Sequence, residues 1–172
     1  TGSVDIYDHG LLQKNSQLGN LIERIGIHRI KYTLCTKAYN GKIDFELDKN
    51  RLQDFVYVYK RINSIINIYK NEGLCIDDIE DIKIESLWEL PARNIVDKLW
   101  EFSDVLEAST YHNDPYSLIR FSEELCDNFY ALNDATLFRN LERRRLGSLL
   151  KLLSYVSIII EDILSILEIP PI

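Results

Sequence analysis

Methionine is absent from this 172-residue sequence, even at position 1. A chain without an initiator methionine is expected to begin inside a longer protein. Cysteine is scarce too, and Cys35, Cys75 and Cys126 lie far apart without a Cys-x-x-Cys pair or a spaced pair of histidines. An odd number of scattered thiols argues against a disulfide framework or a zinc site. It suits a reducing, cytoplasmic environment.

Catalytic signatures are missing as well. The seven glycines are scattered, and they form neither a P-loop nor a dinucleotide-binding fingerprint. Nucleophilic catalysis needs a base beside the nucleophile, but none of the three histidines, His9, His28 and His112, stands in a recognisable motif. The sequence therefore predicts a chain with no catalytic centre, no metal site and no cofactor.

Positive charge is in short supply. Lys and Arg number 20 against 27 Asp and Glu, which gives a formal net charge of -7. Because nucleic-acid phosphates are bound by clustered Lys and Arg, this balance argues against a general nucleic-acid binder, although a local basic patch remains compatible with it. The aliphatic stretch 146–167 contains Lys151, Glu161 and Asp162. These charges are costly in hydrocarbon, so a buried core helix is predicted rather than a membrane span.

Apolar residues at helical spacing dominate the rest of the sequence. Such stripes recur from residue 18 onward, and apolar residues make up 46% of the chain. Burying each stripe against its neighbours predicts an all-α, antiparallel bundle of about five helices. Residues 1–16 are polar and are interpreted as an irregular tail or linker, and residues 17–172 as the helical domain. Only residues 43–45 read as an extended link.

Capping residues predict where the helices begin and end. The first helix is expected to run from Leu18 to a turn at residues 40–41, weakened locally at Gly26. Ser86 is predicted to cap a later helix through a capping box with Glu89. The remaining predicted caps are Asp114, which precedes Pro115, and Asp134, which would begin a last helix ending near Glu168.

Two clusters point towards RNA. Tyr57 and Arg61 are four residues apart on one helix face, away from the apolar stripe. A ring beside a guanidinium is a suitable platform for an unstacked base, although an ordinary surface Tyr–Arg pair has the same spacing. A run of arginines at 139, 143, 144 and 145 is locally basic. It could grip phosphates or bridge to the acidic run at 77–81.

Several segments, in their order, resemble the C-terminal part of arginyl-tRNA synthetases. The resemblance covers about residues 18–172, and its strongest part is the helix 57–65, Tyr-Val-Tyr-Lys-Arg-Ile-Asn-Ser-Ile. The other matching segments are residues 25–32, 43–48, 115–118, 124–125, 129–130, 144–146 and 167–170. In that family this region is the DALR helical bundle, which recognises the anticodon arm of tRNA.

The resemblance also implies roles for particular residues. Tyr57 would stack on an anticodon base, and Arg61 would contact base or phosphate. Phe129, Tyr130 and Asn133 fall near a second aromatic position. The arginines at 139, 143 and 144 would hold the RNA backbone. The implied partners are tRNA, specifically that for arginine, and the catalytic domain of the parent chain.

Departures from the family pattern favour a second interpretation. Residues 50–52, Asn-Arg-Leu, stand where the family has a Gly-Asn-Thr-like tripeptide, and residues 170–172, Pro-Pro-Ile, replace an ending that contributes a methionine to the anticodon site. The alternative is a DALR-like helical scaffold that binds a protein partner in an RNA-processing or other complex. The net charge of -7 favours this alternative too.

Overall fold

Six α-helices and one small sheet make up the part of the chain described by the computed structural model, namely residues 6–8, 11–12, 18–36, 43–44, 51–76, 79, 82–88 and 90–170. The helices are α1 (Leu18–Ile25), α2 (Ile27–Cys35), α3 (Leu52–Asn71), α4 (Ala92–His112), α5 (Tyr116–Ala135) and α6 (Arg143–Ile166). Short 3₁₀-helices lie at Ile84–Leu87 and Phe138–Asn140. The strands are β1 (Ile6–Asp8), β2 (Leu11–Leu12) and β3 (Ile43–Asp44).

The four long helices close into a ring around one core. Helix α4 packs on α5, α5 on α3, α3 on α6, and α6 on α4. The apolar stripe of each helix faces the centre, as burial of an amphipathic helix requires, and Phe55, Ile95, Leu125 and Leu153 are all buried there. The predicted helical bundle is therefore confirmed.

Helix directions can be deduced from the contacts between helices. Asn63 Nδ2 of α3 donates to Ser157 Oγ of α6 at 2.9 Å, while Arg143 near the start of α6 reaches Gly73 just after α3, so these two helices are antiparallel. In contrast, α3 and α5 run in the same direction, because Arg51 pairs with Asp127 and Tyr57 stacks on Tyr130. The bundle therefore contains an antiparallel pair, α3 with α6, as predicted, and also a parallel pair, α3 with α5.

A glycine divides the first predicted helix into two. Gly26 has φ 84° and ψ 144° and separates α1 from α2. Residues with a Cβ rarely adopt positive φ, whereas glycine does so at little cost. The expectation of one locally weakened helix is wrong here, and this division brings the number of α-helices to six among the described residues. The predicted turn at 40–41 lies outside them.

Two of the three predicted caps are wrong. Ser86 lies in the 3₁₀-helix and its hydroxyl donates to the Lys83 carbonyl at 2.6 Å, while α4 begins only at Ala92. Asp134 lies inside α5, and α6 begins after Glu142. The Asp114 cap is confirmed in its chemistry, since its Oδ1 accepts from the Tyr116 amide at 3.0 Å.

The N-terminal residues contain some regular structure. Strand β1 pairs antiparallel with β2 and parallel with β3, with Tyr7 opposite Leu12 on one side and Asp44 on the other. The prediction of an irregular segment is therefore wrong at 6–8 and 11–12, while the extended link at 43–44 is confirmed as β3. Assignment of residues 1–16 to a tail or linker stays a prediction.

Helix α2 is fastened to the bundle by polar contacts. The Tyr32 hydroxyl is buried against α5, where it donates to Glu123 Oε1 at 2.7 Å. Burial, reinforced by Glu123, raises the pKa of this phenol far above its usual range. Lys31 reaches Glu168, just beyond α6, at 2.6 Å. Residues well before α3 therefore belong to the same folded unit.

The hydrophobicity of the helices matches packing within a protein. Among the described helices, none combines the length and the apolar content needed to cross a membrane. In α6, the longest of them, buried positions such as Leu149 and Ile160 alternate with exposed Tyr155 and Glu161. This pattern is typical of a core helix with one side facing solvent, as the sequence predicted.

Candidate nucleic-acid interface

Two tyrosines from different helices form a stacked pair on the surface. Tyr57 of α3 and Tyr130 of α5 have ring centroids 5.9 Å apart and an interplanar angle of 21°. Tyr57 is 52% exposed and Tyr130 is half-buried. Such offset aromatic pairs are favourable, so each ring holds the other in place. The pair presents a preformed aromatic surface to solvent.

Tyr130 is set into the bundle by the residue before it. Phe129 is 0% exposed, and its ring centroid lies 6.2 Å from that of Tyr130 at 57°. The prediction that Phe129 contacts RNA is therefore wrong, since its ring is enclosed in the core. Burial first, and then the nearby Asp54 carboxylate, raises the pKa of Tyr130.

Polar side chains continue this face beyond the two rings. Because α3 and α5 run in the same direction here, Arg61 and Asn133 each follow their tyrosine by one helical turn. Arg61 is exposed and has no ion-pair partner among the residues described, and Asn133 is half-buried. The structure therefore groups four of the predicted RNA contacts, which we call the tyrosine face: Tyr57, Arg61, Tyr130 and Asn133.

The base of the tyrosine face is braced by an arginine that the sequence analysis did not single out as functional. Arg51, at the start of α3, donates to Asp127 of α5 through both terminal nitrogens, at 2.5 and 3.1 Å. Its Nε donates to Asp54 at 2.8 Å. The bond to Asp127, opposed by partial burial, raises the pKa of Arg51 far above its usual range. This two-pronged contact fixes α3 against α5 six residues before Tyr57 and three residues before Tyr130.

The arginine run lies at the far end of α3. Arg139 pairs with Glu72 at 3.2 Å, and Arg143 Nη2 donates to the Gly73 carbonyl at 2.8 Å. These contacts join the end of α3 to the start of α6. At a rise of 1.5 Å per residue, the 16 residues from Tyr57 to Gly73 correspond to about 24 Å, so the arginines and the tyrosine face are separate.

The alternative role predicted for the arginines was a bridge to the acidic run at 77–81, and the structure shows a bridge to a different acidic residue. Arg139 bridges to an acidic residue, but that residue is Glu72 at the end of α3. The acidic positions 77, 78, 80 and 81 lie outside the described residues. Arg144 is exposed and forms no ion pair with any described residue. Of the three arginines predicted to hold phosphates, only Arg139 forms an ion pair with a described residue, while Arg143 is bound to a backbone carbonyl and Arg144 has neither contact.

An apolar groove lies on the opposite side of the helical ring, between α4 and α6. Trp100 at its edge is 78% exposed. The groove has a volume of about 360 Å³ and is lined by Ile82, Val96, Leu99, Trp100, Leu152, Tyr155, Ile158 and Ile159. An exposed apolar surface of this kind is typical of protein contacts. The sequence analysis did not predict this groove, because its lining comes from segments that are distant in the chain.

The acidic side chains do not form a metal site in the part of the chain that is described. No group of three or more His, Cys, Asp or Glu residues is placed there to hold a metal ion. The carboxylates instead bind cations of the protein itself. Glu124, for example, accepts from Lys98 and Arg120.

Comparisons with known proteins agree on one family. A model of the DALR anticodon binding domain matches residues 55–172. The chain is 26% identical over 163 residues to an arginine–tRNA ligase of Ruminiclostridium cellulolyticum, covering 91% of the chain and 29% of that protein. A counterpart in Acetivibrio thermocellus is 22% identical over 180 residues, with 96% and 32% covered. The chain therefore spans less than a third of the length of these relatives.

A solved structure has the same fold. An arginyl-tRNA synthetase from Campylobacter jejuni superposes with a TM-score of 0.79 at 19% identity, covering 99% of this chain and 39% of the other. The match includes the residues before α3 as well as the bundle. At this level of identity the comparison bears on the fold alone.

Proposed function

Because the chain belongs to the DALR anticodon-binding domain family, we propose that it is a non-catalytic module that binds the anticodon arm of tRNA, specifically the tRNA for arginine. The identity of the tRNA rests on the names of the relatives. The catalytic domain of a parent chain would be its second partner, and the cytoplasm its place of action. We further propose a domain of residues 17–172, because α2 is fastened to the bundle.

The observation that carries this proposal is the stacked pair Tyr57–Tyr130. Sequence-specific RNA recognition targets unstacked bases in loops, which stack on aromatic side chains. The exposed ring of Tyr57 offers such a surface, and Tyr130 supports it from α5. Arg61 supplies a cation for base or phosphate, and Asn133 supplies amide groups that can pair with a base edge.

The proposal is tested by removing the platform and its cation together. In Tyr57→Ala/Arg61→Ala, loss of one stacked base is expected to cost about 1–3 kcal/mol, or roughly 5- to 150-fold in affinity. Both side chains are exposed or half-exposed, so thermal stability should change little. The measurement is fluorescence anisotropy with the anticodon stem-loop of an arginine tRNA, compared with a stem-loop of different anticodon.

Helix α4 provides a matched control. Tyr111 and Arg93 are also exposed, but they lie on α4, away from the tyrosine face. Tyr111→Ala/Arg93→Ala should retain full RNA affinity. If both double variants bind RNA as tightly as the unmodified chain, the tyrosine face is not the binding surface.

A second candidate function, a scaffold for a protein partner, is favoured by the apolar groove beside Trp100. Electrostatic binding to RNA weakens steeply as salt rises. RNA binding whose affinity falls steeply with salt therefore supports the tRNA proposal. Absence of binding to either stem-loop at low salt would favour the scaffold instead.

A further inference from the structure

A cleft lined by basic residues opens where the chain returns to the start of α6. It has a volume of about 530 Å³ and is lined by Lys83, Glu85, Ser86, Glu142, Arg144 and Arg145. An adjoining hollow of about 370 Å³ shares Lys83 and Arg144 and adds Arg143. The two hollows thus meet at Lys83 and Arg144, which we call the paired cations.

The charges of the paired cations are not neutralised within the described structure. Lys83 and Arg144 are exposed, and neither forms an ion pair with any residue described. Glu85 and Glu142 line the same cleft, yet no ion pair joins them to the paired cations. In contrast, Arg139 and Arg143 are bound to the end of α3. Among the described residues, three cationic side chains and two carboxylates line the cleft, which leaves an excess of one positive charge in a chain of net charge -7.

The backbone holds the paired cations in position. The Lys83 amide donates to Ser148 Oγ at 3.3 Å, one turn beyond Arg144 on α6. Close by, a Cβ at Gly147 would lie 2.8 Å from Ile79 Cδ1, so the segment before Lys83 packs directly on the helix. The backbone of Lys83 is thereby held beside α6 before any ligand arrives, which lowers the entropic cost of binding.

The chemistry of the cleft fits a phosphate group. A guanidinium can donate two parallel hydrogen bonds to phosphate oxygens, and an ammonium adds a point charge. Glu142 precedes α6 but makes no side-chain hydrogen bond to the first amides of that helix. These amides add partial positive charge on the same side of the cleft.

We propose that the cleft at Lys83 and Arg144 binds a phosphate of the RNA backbone, at a point remote from the stacked bases. Gly73, about 24 Å along α3 from Tyr57, lines the adjoining hollow. The phosphate therefore belongs to a different part of the RNA from the bases on the tyrosine face. The assignment to RNA rests on the proposed function, whereas the affinity for phosphate does not.

The experiment has one arm for each source of phosphate. The first titrates the 172-residue chain with inorganic phosphate at constant ionic strength and follows backbone amide resonances by NMR. Saturable shifts are expected at Lys83, Arg144 and Ser148, and they should vanish in Lys83→Ala/Arg144→Ala. Arg93→Ala is the matched control, because Arg93 is the second residue of α4 as Arg144 is of α6. It should leave the shifts intact.

The second arm measures binding of the anticodon stem-loop against salt. In Lys83→Ala/Arg144→Ala, loss of one phosphate contact should reduce the slope of log affinity against log salt by about one. Arg93→Ala should leave this slope unchanged. Phosphate-induced NMR shifts together with an unchanged salt slope would support phosphate binding in the cleft and refute the proposal that the bound phosphate belongs to RNA. Absence of saturable phosphate shifts would refute phosphate binding in the cleft, even where Tyr57→Ala/Arg61→Ala still weakens RNA binding.

Discussion

Adjacent residues Phe129 and Tyr130 should give opposite phenotypes when each is replaced by alanine. The Phe129 ring is completely buried, while Tyr130 reaches the surface beside Tyr57. Phe129→Ala should therefore impair the fold, and Tyr130→Ala should impair RNA binding. The contrast tests the placement of α5 residue by residue, because a rotation of the helix by one position would exchange the two results.

The magnitudes follow from burial. Truncating a fully buried phenylalanine costs about 3–5 kcal/mol, through lost apolar contact and the cavity left behind. This is a large part of the 5–15 kcal/mol typical of a domain, but the protein should remain mostly folded. Tyr130→Ala loses the pairing with Tyr57, worth about 0.5–1.5 kcal/mol, together with part of the platform for a base.

Urea unfolding followed by circular dichroism at 222 nm measures the first effect, and anisotropy with the stem-loop RNA measures the second. Phe129→Ala should lower the unfolding midpoint strongly while its folded fraction binds RNA almost normally. Tyr130→Ala should change the unfolding midpoint little and weaken RNA binding. A Phe129→Ala protein of unchanged stability and weakened RNA binding would show that this ring faces the ligand, and the assignment to the core would be abandoned.

Two further predictions concern stability. Gly26→Ala should cost about 1–3 kcal/mol in urea unfolding, because φ is 84° although, chain neighbours aside, no heavy atom of the described residues lies within 4 Å of the new Cβ; an unchanged midpoint would refute the backbone argument. The hydrogen bond from Lys98 lowers the pKa of Glu124 in the folded protein. The ionised Glu124 carboxylate therefore stabilises the fold above the unfolded-state pKa of about 4.3, and this stabilisation is lost as the pH falls from there through the folded-state pKa. Glu124→Gln should therefore flatten the acid loss of stability seen by circular dichroism, whereas exposed Glu107→Gln should retain the full decline.

The bundle was predictable from the sequence because its signal is periodic and local. Apolar residues at helical spacing, such as Phe55, Val58 and Ile62, are the residues buried in the core. The break at Gly26 was only half-predicted, since a glycine in a helical pattern is often tolerated. Ser86 satisfied a local capping pattern, but tertiary packing placed it in a 3₁₀-helix and delayed α4 to Ala92.

The interface was predictable only in part, because its contacts join distant segments. The spacing of Tyr57 and Arg61 could be read within one helix, but the stack with Tyr130 depends on how α5 packs beside α3. Phe129 falls at helical spacing with Leu125 and Leu132, a pattern that predicts its burial, and only the family resemblance grouped it with Tyr130 as an RNA contact. Lys83 escaped notice since no sequence motif connects it with Arg144, which lies opposite in the folded chain.

Both tryptophans belong to the side of the molecule away from the tyrosine face. Trp100 lines the apolar groove, and Trp88 follows the 3₁₀-helix that packs on α6 and α4. Trp88 lies close to the cleft that contains Lys83 and Ser86, so the emission of Trp100 alone, recorded in Trp88→Phe, is an optical reporter of the groove. A protein covering the groove would shift and intensify this emission, whereas RNA stacked on Tyr57 would leave it almost silent. The molecule thus distinguishes its two candidate ligands spectroscopically, without any added label.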